Sequence, residues 1–90
     1  MARKETVTKV IDGDTFMTNM RKCSVRLARV DTPEKGQPRY GEAKKELQKM
    51  IEGQKVTIDT KARDPYGRAI ANVKIGNTSV NRAMKKFEKK

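Results

Sequence analysis

Along residues 6–75, short runs rich in β-branched side chains alternate with Gly, Pro, Asn and Asp turn signals, and the alternation is interrupted once, by a helical stripe. Few folds accommodate that rhythm. Residues 6–11 read as a first strand, followed by the turn signal Asp12-Gly13 and a second strand over 15–20, which together make a hairpin. A polar turn at Arg21-Lys22 leads to a third strand over 23–30, with Val25 and Leu27 on one face and Arg26, Ala28 and Val30 on the other. Pro33, Gly36 and Pro38 make 31–39 a loop. Ala43, Leu47, Met50 and Ile51 then fall at i, i+4, i+7 and i+8, one apolar helical stripe that Gly53 is placed to end. Residues 55–60 form a fourth strand with Val56 and Ile58 inward. The turn Asp64-Pro65-Tyr66-Gly67 opens a fifth over 68–75, with Ala69, Ala71, Val73 and Ile75 on one face. Val80, Ala83, Met84 and Phe87 space a short amphipathic helix, and the basic tail 85–90 is expected to fray.

Three strands, a helix, two strands and a helix, with no repeat or linker, predict a single domain over 1–90 of mainly β, α+β class. The expected architecture is a five-stranded OB-fold barrel with one helix between strands 3 and 4 and a short C-terminal helix. Charged residues reach 37%, but the apolar periodicity marks a folded domain with a solvated basic exterior. Cys23 stands alone, which rules out an internal disulfide, and the absence of His removes the ordinary zinc spacings. Cys23 is expected as a small buried residue of the third strand. No segment approaches the roughly 20 apolar residues of a membrane span, and no apolar signal-peptide core follows the basic start. The expectation is a soluble monomer with no membrane partner, cytoplasmic as written or the mature form of a secreted protein.

Twenty-two Lys and Arg against eleven Asp and Glu give a net charge of +11, which attracts DNA, RNA or an anionic membrane surface alike. Against that background Asp12, Asp14, Asp31 and Glu34 fall in two polar breaks within the first 34 residues. Taken singly, each break is also an ordinary turn. Together, adjacent strands of a hairpin-built sheet can bring Asp14 and Asp31 into one cleft, where two carboxylates with carbonyl and water oxygens suit a hard cation such as Ca²⁺ or Mg²⁺. Arg26, in a strand leading to Asp31, and Arg68, after a turn, are the natural grips for a phosphate, since a guanidinium fork matches two phosphate oxygens. Tyr66 either stacks on a base, bonds a phosphate or packs its turn. Tyr40, just before the helix, reads as a packing residue, and without His any proton transfer falls to carboxylates, Lys, Tyr or water.

The segments Val10-Ile11-Asp12-Gly13-Asp14-Thr15-Phe16, Val25-Arg26-Leu27 through Val30-Asp31-Thr32-Pro33-Glu34, and Asp64-Pro65-Tyr66-Gly67-Arg68 resemble the staphylococcal nuclease (thermonuclease) family in content, order and spacing. Tyr40-Gly41 and Val80-Asn81 extend the likeness over nearly the whole chain. The resemblance implies a Ca²⁺-dependent phosphodiesterase, with Ca²⁺ ahead of Mg²⁺, that hydrolyses single-stranded or flexible DNA and RNA with little sequence preference. It also implies roles: Asp14, Asp31 and the Thr32 carbonyl as metal ligands, Asp12 as their support, Glu34 as general base, and Arg26 and Arg68 as the pair that grips the reacting phosphate. The loop 35–39 is shorter and less Lys-rich than in the family's best-known member, and Pro65 takes a position often basic there. The alternative readings are a binding module of the same fold with little or no turnover, and a truncated nuclease scaffold.

Overall fold

The computed structural model describes residues 3–88. The elements are β1 (Arg3–Asp12), β2 (Thr15–Thr18), β3 (Val25–Leu27), α1 (Tyr40–Ile51), β4 (Lys55–Arg63), β5 (Ala69–Ile75), β6 (Thr78–Ser79) and α2 (Val80–Met84), followed by a 3₁₀ turn over Lys85–Phe87. The first half of β1 pairs with β4 and its second half with β2. That split is possible because register shifts between Val7 and Lys9 and between Val10 and Asp12 curl the strand, as inserted residues do. The same shift returns Val10 to the interior after Val7, leaving Thr8 and Lys9 outside.

The hydrogen-bonded order is β3-β2-β1-β4-β5-β6, and a further, parallel pairing of β3 with β5 closes the first five strands into a barrel. Strand alternation fills it: Val25 and Leu27, Val56 and Ile58, and Ala69, Ala71 and Val73 all point inward. Ala43, Leu47 and Ile51 of α1 lie in the same core with Val80, Met84 and Phe87. Gly53, at φ 78°, takes the left-handed position after the helix, and its N–H bonds the Val7 carbonyl at 2.9 Å, tying α1 to β1. The sequence expectation of an α+β OB-fold barrel with these two helices is met.

Several details differ from the expectation, among them a second strand that ends at Thr18 rather than 20 and a fourth that runs on to Arg63 rather than 60. The third strand runs only over Val25–Leu27, because Arg29 adopts a left-handed φ of 58° and turns the chain; Ala28 and Val30 are nevertheless buried. Cys23 lies before that strand and is exposed, so it fills no core position. A two-residue sixth strand pairs on β5. Lys85–Phe87, read as the start of a frayed tail, wind into the 3₁₀ turn that buries Phe87, while Lys89 and Lys90 of that tail lie outside the described residues.

Two buried polar groups brace the barrel. Asn81 accepts the Val73 N–H at 2.7 Å and donates to the Ala28 and Ala71 carbonyls at 3.0 Å each, so one side chain links α2, β5 and the end of β3. Asn81→Ala leaves those buried backbone groups without partners and should lower stability by at least about 2 kcal/mol in urea unfolding. Glu5, 4% exposed, receives Arg21 Nε and Nη2 at 2.8 and 2.9 Å and Thr18 Oγ1 at 2.6 Å. Burial pushes the Glu5 carboxyl up, but the Arg21 and Thr18 bonds and the Arg21 charge outweigh it and leave it below its usual value. A carboxyl depressed by folding contributes stability fully above its unfolded pKa and loses it as pH falls through the folded one. Glu5→Gln should therefore unfold more easily by about 1–3 kcal/mol at pH 7, with the gap closing below about pH 4.

Candidate active site

The first hairpin places the acidic break. Asp12 and Thr15 close the turn as paired residues, with Gly13 and Asp14 at its tip. A Cβ at Gly13 would stand 2.7 Å from the Ala43 Cβ and 3.0 Å from Thr32 Oγ1, so only glycine lets this turn pack between α1 and the following loop. Asp14 is buried; its Oδ1 accepts Thr15 Oγ1 at 2.9 Å and its Oδ2 lies 3.5 Å from Arg26 Nη2. That contact follows from register, since Thr15 is paired directly with Arg26. Arg26 also donates to the Leu27 carbonyl at 3.4 Å, which holds the guanidinium against the strand.

Behind the turn, Tyr40 at the start of α1 donates its hydroxyl to Asp12 Oδ1 at 2.7 Å, with the Ile11 carbonyl 3.3 Å away as a weaker, shared acceptor. The bond to the Asp12 carboxylate, with burial and that negative charge, raises the Tyr40 pKa, so the phenol stays protonated and keeps donating. The loop after β3 supplies the facing wall: Thr32 and Pro33 are buried, and Gln37 caps the turn by accepting the Glu34 N–H at 2.7 Å while donating its own N–H to the Glu34 carbonyl at 2.9 Å. Between turn and loop opens a cleft of about 440 Å³ lined by Asp12, Asp14, Thr32, Pro33, Glu34 and Lys35.

Arg68 does not line the cleft and is positioned by a separate turn. Asp64 accepts the N–H of Tyr66 at 3.0 Å and of Arg68 at 2.9 Å, forming an aspartate-capped turn in which Gly67 has a φ of 84°, and its other oxygen takes Arg68 Nε. Burial raises the Asp64 carboxyl, but the backbone and side-chain bonds from Arg68, its charge and the Tyr66 N–H together lower it. The Arg68 guanidinium sits 5.7 Å from the ring centre of Tyr66, which is 83% exposed. Parallel pairing puts Val25 beside Ala69 and Arg26 beside Ile70, so the two-residue strand period sets Arg68 on the face shared by Ile70 and Arg26.

The structure thus gathers Asp12, Asp14, Thr32 and Glu34 around one cleft with Arg26 bonded to Asp14, while Arg68 and Tyr66 stand at a separate turn outside the cleft lining. Asp31 is exposed and does not line the cleft, although it directly precedes Thr32. Among the described residues no three His, Cys, Asp or Glu side chains gather as a metal cage. The donors at the cleft are nevertheless all oxygens, and Thr32 Oγ1 is buried without a hydrogen-bond partner among the described residues. Hard-cation chemistry fits that set, and a soft metal does not.

Sequence reasoning read Tyr40 as packing and Asp64 only as part of a turn, and gave Lys35 no role at the cleft. Only Asp64 carried a usable signal, because Asp followed by Pro-x-Gly is the pattern of a side-chain-capped turn. Tyr40 acts as the holder of Asp12 rather than as mere packing.

The fold and site together define a class: an oligonucleotide-binding barrel with an oxygen-lined acidic cleft and two forked cations on one face. Residues 24–87 match the family described as staphylococcal nuclease homologue. The chain is 37% identical to an uncharacterized endonuclease of Escherichia coli O157:H7, with 74% of this chain and 45% of that protein covered. It is 36% identical to a micrococcal nuclease of Shigella flexneri, with 74% and 40% covered, and 34% identical to a thermonuclease of Staphylococcus hyicus, with 89% and 53% covered. The chain belongs to the staphylococcal nuclease family, and it spans about half the length of these relatives.

A buried hydroxyl with no partner costs about 1–3 kcal/mol of desolvation. Thr32→Val, of nearly equal volume, should leave the metal-free protein as stable as the wild type or more so by about 1 kcal/mol. A lower urea midpoint with unchanged slope would reveal a bonded hydroxyl instead.

Proposed function

We propose that this chain is a Ca²⁺-dependent, sequence-nonspecific nuclease that hydrolyses phosphodiesters of single-stranded or flexible DNA and RNA as a monomer. The observation that carries the reading is the oxygen-lined cleft beside the Asp14–Arg26 pair on a barrel of this family. Asp14, Asp31 and the Thr32 carbonyl are the residues that would hold Ca²⁺, with Asp12 steadying them from its bond to Tyr40. The ion, when bound, would neutralise negative charge on the phosphate. Arg26 and Arg68 grip the phosphate oxygens and stabilise the charge that builds up as water adds to phosphorus. Glu34 takes the proton from that water, a task open to a carboxylate in a chain without His.

The exposure of Asp31 and the engagement of Arg68 by Asp64 favour a second reading, a barrel that holds nucleic acid and turns it over slowly. Incubation with single-stranded DNA separates the two. Degradation in Ca²⁺ that a chelator abolishes supports the nuclease; salt-sensitive retention without cleavage supports the binder. Glu34→Gln and Arg68→Ala should each lower cleavage by orders of magnitude while folding persists, and near-wild-type turnover from either would refute its role. Excess Ca²⁺ should raise the melting temperature through preferential binding to the folded state, and Asp14→Asn should remove that shift.

A further inference from the structure

A second groove, of about 570 Å³, shares no lining residue with the acidic cleft; it lies between the start of β1, the connection 19–24 and the end of β4. Arg3, Arg21, Lys22 and Arg63 line it against one carboxylate, Glu5, so four cations less one anion leave +3. Glu5 and Arg21 bond each other through both carboxylate oxygens, so their charges cancel locally. Among the described residues Arg3, Lys22 and Arg63 enter no ion pair. Three cations remain, in a concave wall where Met20 is 59% exposed.

This groove is joined to the turn that carries Tyr66 and Arg68. Arg63 Nη1 donates to the Gly67 carbonyl at 3.2 Å, a Cβ on Gly67 would stand 3.5 Å from Cys23 Sγ, and the Ala69 N–H bonds the Ser24 carbonyl at 3.1 Å. A strand whose phosphate is held at Arg68 therefore has a basic path to follow, with Tyr66 and Met20 offering exposed surfaces against which bases can rest. From this continuity we infer that the groove is a subsite for single-stranded nucleic acid flanking the reacting phosphodiester, with Arg3, Lys22 and Arg63 tracking successive phosphates. The inference rests on the nuclease reading of the neighbouring cleft. A membrane would require a flat or convex basic face, and a concave one suits a strand.

The test is fluorescence anisotropy with labelled oligothymidylates of 20 and of 3 nucleotides, in chelator so that no strand is cut, over a range of salt. The wild type should bind the longer strand at least about tenfold more tightly. The double variant Lys22→Ala/Arg63→Ala should lose most of that advantage, and its salt slope should fall by about 1.4, or 0.7 for each single-strand phosphate contact removed. Lys45→Ala/Lys49→Ala on the exposed face of α1 removes equal charge and should lose much less. The groove assignment is overturned if the two pairs weaken binding equally, or if the groove pair keeps wild-type affinity and slope. Cleavage of the same 20-nucleotide strand by the wild type in Ca²⁺ reads the nuclease proposal separately. With cleavage intact and the groove variant unaffected, only the subsite falls; with neither binding nor cleavage, both fall.

Discussion

The parallel pairing of β3 with β5 is the constraint on which the site depends. In the sheet order β3 and β5 are separated by three other strands, so in an open sheet the hairpin that carries Asp14 and Arg26 would lie far from the turn that carries Arg68. Closure makes them neighbours. The ladder is short, joining Val25, Arg26 and Leu27 to Ala69, Ile70 and Ala71, and a ladder of that length between strands distant in sequence is weak by itself. Asn81 extends it: its carboxamide spans the Ala28 and Ala71 carbonyls just past the last pair and takes the Val73 N–H as well. Being buried, that carboxamide is held by a low-dielectric surrounding in which an unmade bond is expensive, so it specifies closure as well as stabilising it.

Positioning of the acidic cleft follows from core packing rather than from the acids themselves. The absent side chain of Gly13 lets the hairpin turn sit against Ala43, a residue of the buried stripe of α1, and the first residue of that helix reaches back to Asp12. Helix and hairpin are therefore packed and bonded to each other. The arginines are tethered more lightly: Arg26 approaches Asp14 at 3.5 Å, and Arg68 is bonded to Asp64 with about a third of its side chain exposed. Each guanidinium keeps part of its surface open to water, where an incoming phosphodiester anion could meet it.

What could be read from the sequence was whatever depended on local period. The Ala69, Ala71, Val73 alternation and the Ala43, Leu47, Ile51 stripe are properties of single elements, and the structure buries both. The Asp14–Arg26 contact was out of reach: a two-residue turn at Arg21-Lys22 would set Thr15 opposite Ala28, whereas the longer connection 19–24 sets it opposite Arg26. The third strand was drawn too long because neither Ala28 nor Arg29 carries a breaker signal, yet Arg29 turns in the left-handed region, where glycine is the usual occupant. Cys23 was misplaced with it. The bond from Tyr40 to Asp12 spans 28 residues, and no local pattern announces a contact at that range.

Electrostatics then supplies a reason, independent of kinship, for a cation to be part of the proposed chemistry. At a net charge of +11 the molecule draws in polyanions, but at the cleft itself Asp12, Asp14 and Glu34 outnumber Lys35 and oppose a phosphate while Arg26 is engaged with Asp14. A phosphodiester steered to the surface would meet local repulsion where the reaction is proposed to occur. A divalent cation shared by the carboxylates, as proposed, would offset most of that local negative charge and lessen the claim of Asp14 on Arg26. Under the proposed function the basic exterior would supply attraction at long range, and the acids would make the last few ångströms conditional on the metal. In that proposal, concentrating carboxylates in one cleft of an otherwise cationic barrel would turn a general affinity for nucleic acid into one gated at a single position.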